Sequence, residues 1–89
     1  MRFGGIASIL KLVSLWENDE SLPALLLKLL LKLAKVKGSS EEILNNGGKS
    51  IFMRIIEIHK EDYEIRVDVR KLLNKLSIIE KKIALKELE

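Results

Sequence analysis

The chain has 89 residues, a formal net charge of +3, 47% hydrophobic residues and 33% charged residues. This is at most one small domain, far too apolar for a disordered tail, and its mild basicity permits acidic partners without demanding nucleic acid. Cysteine is absent, which excludes a disulfide framework, a cysteine-based metal site and a thiol nucleophile.

Aromatics make up only 4% and there is a single proline, so the apolar mass is Leu and Ile. Such a Leu-, Lys- and Glu-rich composition favours helices over strands. The N-terminus does not read as a signal peptide. Lys11 interrupts the apolar run Ile6 to Leu10, and no small-x-small cleavage site follows before Trp16-Glu17. No stretch of 18 apolar residues exists. The expected compartment is intracellular and cytoplasmic, with the nucleus as the alternative.

In chain order, Gly4-Gly5 precedes a helical pattern. Ile6, Ile9, Leu10, Val13 and Trp16 follow helical spacing and define one apolar face. Glu17-Asn18-Asp19-Glu20 is a polar break. Ser21 is the expected N-cap of the next helix, with Pro23 tolerated in its first turn. That helix is expected to run to about Lys37 and stop at Gly38. It is nearly all Leu except Lys28, Lys32 and Lys35, which share a face. Ser39 or Ser40 should cap a short helix with Glu41 and Glu42 in its first turn, where carboxylates suit the dipole.

Asn45-Asn46-Gly47-Gly48 is a break. A long helix then turns Ile51, Phe52, Ile55, Ile56 and His59 inward. Asp62 is positioned to cap the next helix, whose inward face is Ile65, Val69, Leu72, Leu73 and Leu76. Ser77 with Glu80 reads as a capping box for a terminal helix from about Ile78 to Leu88. Residues 49–89 contain neither Gly nor Pro, so a fused helix is the alternative there.

The two halves echo each other. Gly4-Gly5 recurs as Gly47-Gly48, and Lys28 to Ala34 recurs as Lys71 to Ser77, both 43 residues later. Apolar positions also match across that offset, Ile9 with Phe52, Leu12 with Ile55, Leu22 with Ile65 and Leu26 with Val69 among them. A period of 40–47 residues belongs to helical solenoids.

The junction Ile43 to Phe52 and the stretch Leu72 to Ser77 resemble the armadillo repeat. Its unit is a short first helix, a glycine turn and two longer antiparallel helices, the last of which lines a concave groove. HEAT-type repeats are the nearest alternative. The resemblance implies an all-α fold, a right-handed α-solenoid fragment with period 43. The chain is then a single armadillo-like domain over 1–89. Residues 4–37 supply helices two and three of a first repeat, 39–77 a second repeat, and 78–89 a terminal helix. In peptide-gripping members the groove helix carries Trp and, four residues on, Asn. Here those positions fall on Lys28 and Lys32, and on Lys71 and Lys75. The asparagine ladder is missing. The lysine pairs are closer to the lysine-lined grooves of catenin-type members, and they are the candidate partner-binding residues.

Other chemistry is thin. Gly48-Lys49-Ser50 lacks the earlier glycine of a phosphate-binding loop, because Ile43 stands in its place. His59 is the only histidine and has no ligand set for zinc. Glu61, Asp62 and Glu64 read as a solvated helix start, and Trp16 as a cap on the core. No enzyme and no cofactor is expected. The leading expectation is a protein-interaction module that binds an extended, acidic protein or peptide on the lysine face. Nucleic acid is not expected, since acids interleave with the basic residues after residue 57 and stacking aromatics are few. The alternatives are membrane-surface association through the basic, Leu-rich helix 22–37, or an excised or engineered repeat fragment. Homo-oligomerisation through exposed solenoid ends is expected, because repeat layers bury their apolar faces against neighbours.

Overall fold

The computed structural model describes residues 5–88. They form five helices: α1 (Gly5–Leu15), α2 (Leu22–Leu33), α3 (Ser39–Asn45), α4 (Gly48–Ile58) and α5 (Tyr63–Leu88). No strand occurs among the described residues, so the fold is all-α as expected. Gly4, half of the first glycine pair, lies outside the described residues.

α1 packs on α2, α3 and α4; α5 packs on α2, α3 and α4. Pairings along α2 and α5 rise together in number. Lys28 meets Glu64 and Asp68, and further on Leu31, Lys32 and Lys35 face Lys71, Asn74 and Lys75. α2 and α5 therefore run parallel. Likewise Glu17, just past α1, pairs with Arg54 of α4, and its carbonyl oxygen lies 2.7 Å from His59 Nε2 at the end of α4. α1 and α4 thus finish at the same end of the molecule. The chain is built as two helix pairs, α1–α2 and α4–α5, lying against each other.

Each helix turns its apolar stripe to the seam between the pairs. Ile6, Leu10 and Val13 of α1, Leu26, Leu27 and Leu30 of α2, Phe52 and Ile55 of α4, and Ile65, Val69, Leu72 and Leu76 of α5 are all buried. A fully buried side chain of this size stabilises by about 1.5–3 kcal/mol. Ile9, Ile51, Ile56 and Leu73 are only partly buried beside this core. Trp16 lies beyond α1 and is 52% exposed, so it caps the core weakly.

The corner between α3 and α4 explains the double glycine. Gly47 has φ +78, a left-handed conformation that a side chain resists. Gly48 begins α4 so close to Ile43 that an added Cβ would overlap Ile43 Cγ2 and sit 2.8 Å from the Ile43 carbonyl oxygen. One glycine makes the turn and the next permits the close approach.

Several local expectations are corrected. α2 ends at Leu33, not near Lys37. After it the backbone tightens, with Lys35 N donating to Lys32 O and Val36 N to Leu33 O. Lys35, Val36 and Lys37 are all exposed, so no burial holds further helical turns in place. Ser21 occupies the N-cap position of α2 but makes no side-chain cap bond. Asp19 does that work: its Oδ1 accepts from Ser21 N at 2.8 Å and from Leu22 N at 2.9 Å. Gly38, at φ +87, precedes α3 in place of a serine cap. Asp62 does cap α5, accepting from Ile65 N at 3.2 Å.

α5 is one helix of 26 residues, with no break at Ser77. Glu80 does not fold back on a cap. It reaches Lys49 Nζ of α4 at 3.2 Å. At about 1.5 Å per residue, α5 nearly spans the 44 Å long axis of the molecule. Residues 78–88 therefore continue the preceding helix; they do not form a separate terminal one.

Candidate lysine-lined binding face

The parallel packing of α2 on α5 brings most of the expected lysines together. Lys32 from the end of α2, Lys35 from the turn after it, and Lys71 and Lys75 from the middle of α5 surround a recess of about 390 Å³. Leu31 and Asn74 complete it. No acidic side chain lines it, and none of the four lysines makes an ion pair among the described residues. A spacing of four residues on α5 puts Lys71 with Lys75 on a common face, and Lys35 reaches the recess from the turn that follows α2. Lys32, Lys35 and Lys71 are exposed and Lys75 is half-buried.

Lys28 stands apart from this group. Its Nζ lies 2.8 Å from Glu64 Oε2 and 3.2 Å from Asp68 Oδ2. Asp68 is only 5% exposed, and Lys28 is the cation that makes its burial tolerable. The two carboxylates, Glu64 first, hold the Lys28 ammonium above its ordinary pKa. No acid lies one turn along α2 from Lys28. The neutralising acids come from α5 instead, so Lys28 is a structural cation.

Lys35 takes its place, and sequence reasoning passed it over. A signal was there, because Lys35 shares the Lys28–Lys32 face. Asn74 carried no signal.

Size does not single this recess out. A larger hollow of about 480 Å³ lies where α1, the α2–α3 turn and α3 meet, but its lining mixes Lys37 with Glu42. Charge of one sign is what distinguishes the α2–α5 recess. His59 is held by the Glu17 carbonyl and has a structural place at the α1–α4 end. Among the described residues no group of His, Cys, Asp or Glu could hold a metal ion, and no helix is long and apolar enough to cross a membrane. Scans against protein families, characterised proteins and solved structures give no match to this chain.

Proposed function

We propose that this chain is a non-enzymatic protein-interaction module of the armadillo-like, right-handed α-solenoid kind, and that its α2–α5 groove binds an extended acidic segment of a partner protein. The observation that carries the reading is the convergence of Lys32, Lys35, Lys71 and Lys75 on one recess without an acid. Four ammonium groups of one sign raise the local potential and favour an anionic chain over a neutral one. Each exposed lysine contact contributes about 0.5–1 kcal/mol and weakens with salt. The repeat reading draws support from the parallel α2–α5 and α1–α4 pairings and from the short helix and double glycine ahead of α4. α2 commits Leu26, Leu27 and Leu30 to the core, which argues against its lying on a membrane by its apolar side.

The test is the double charge reversal Lys71→Glu with Lys75→Glu, measured with a fluorescent acidic peptide and by circular dichroism. Capture is expected to be abolished while helicity stays intact. Capture that survives the reversal rejects the groove.

A further inference from the structure

Burial of equivalent positions differs between the two helix pairs in a directional way. Shifted by 43 residues, Ile55, Asp68 and Leu72 of the second pair correspond to Leu12, Leu25 and Leu29 of the first. The three residues of the second pair are buried, at 0%, 5% and 0% exposure. Their counterparts are open, at 41%, 64% and 41%. The face that α4–α5 buries against α1–α2 is thus presented by α1–α2 to the outside, in aliphatic residues. The reverse comparison gives a basic surface at two positions of three. Leu10 corresponds to Met53, Pro23 to Arg66 and Leu27 to Arg70. The first of each pair is buried, and the second is exposed. The α4–α5 end carries two arginines beside Met53, which is 54% exposed, and the α1–α2 end is leucine.

We infer that the α1–α2 end is a self-association face and that a second copy of this chain docks on it about a two-fold axis. The occupant follows from the asymmetry. Head-to-tail stacking would set Arg66 and Arg70 against Leu25 and Leu29, burying charge on an aliphatic surface with no acid to meet it. Only the leucine end of another copy matches in kind. A face that meets its own copy closes after two protomers and does not grow. The inference rests on the stacked-layer part of the proposed fold and not on the lysine groove.

The test is sedimentation equilibrium of the whole chain from low to high micromolar concentration. It compares wild type, the double variant Leu25→Glu with Leu29→Glu, and Met53→Glu at the opposite end. Circular dichroism checks folding, since all three side chains are already exposed. Wild type and Met53→Glu are expected to reach the dimer mass, and the double variant to stay monomeric with at least a tenfold weaker association. A wild type that is monomeric throughout overturns the inference. So does a dimer that survives in the double variant, a dimer lost in Met53→Glu, or a mass that climbs past two protomers. Acidic-peptide binding measured on a Leu25→Gln, Leu29→Gln variant, which adds no carboxylate three residues before Lys32, is expected to persist. Its loss there would count against the groove and leave the self-association result standing.

Discussion

Replacing Gly48 by Ala probes the corner on which the second helix pair turns. The new methyl would overlap Ile43 Cγ2 and stand 2.8 Å from the Ile43 carbonyl oxygen, against an ordinary carbon contact of about 3.5–4.0 Å. Ile43 is fully buried, and its carbonyl belongs to the backbone of α3, so neither can yield without moving the helix. Overpacking of this kind costs about 1–3 kcal/mol. Contacts this short put the cost at the upper end, about 2–3 kcal/mol, and the helical preference of Ala over Gly returns about 1 kcal/mol, leaving a net loss of about 1–2 kcal/mol. A domain of 89 residues has a total stability of about 4–13 kcal/mol. At about 4–8 °C per kcal/mol for a domain this small, Tm should fall by roughly 5–15 °C. The control is Gly47. It has open space around its Cβ position but a left-handed backbone, which Asn tolerates. Thermal melts should therefore show Gly47→Asn close to wild type and Gly48→Asn or Gly48→Ala clearly destabilised. If Gly48→Ala melts with wild type, α4 does not press on Ile43 and the corner is wrongly described.

Three other outcomes are expected. Pro at Ile78, an exposed position in the interior of α5, should cost about 3 kcal/mol and lower helicity; a helix that began there would accept proline at no loss, so an unchanged melt would mean α5 is broken. Removing the Asp19 carboxylate with Asp19→Ala should destabilise the start of α2. Leu22 N–H and then Ser21 N–H hold that carboxyl below its ordinary pKa. The stability gap to wild type should be full above about pH 3.9 and shrink as pH falls through the lower folded value; a gap that does not change with pH would reject the charged cap. Lys28→Met should lower Tm by stranding the buried Asp68, and adding Asp68→Leu should restore it. Because the folded Lys28 pKa is raised, its contribution is complete below about pH 10.4 and disappears as pH rises through the folded value, and alkaline melts of wild type against Lys28→Met measure this.

What the sequence disclosed was mostly local. The helix starts at Gly48 and after Asp62, and the inward stripes of α4 and α5, depend on spacing and on turn chemistry within a few residues. The double glycine was visible as a break, although only the proximity of Ile43 explains why two are needed. Features decided between distant segments were hidden. Lys28 loses its freedom to acids 36 and 40 positions away. Glu80 looked like a capping partner of Ser77 because the two are three apart, but it is held by Lys49, 31 positions away. The early end of α2 follows from a lack of burial after Leu33, which a run of Lys and Val does not announce. Three of the four lysines of the candidate face were therefore legible, and its membership, with Lys35 in and Lys28 out, required the packing of α2 on α5.

The central claim is that Lys32, Lys35, Lys71 and Lys75 act as one anion-binding face. An NMR titration of the isotopically labelled chain with a short acidic peptide tests it most directly. Shifts should concentrate on residues 31–35 and 71–75, saturate together with one dissociation constant, and shrink as salt is raised. Shifts confined to Leu12, Leu25 and Leu29, or spread evenly over all exposed lysines including Lys11 and Lys60, would contradict it.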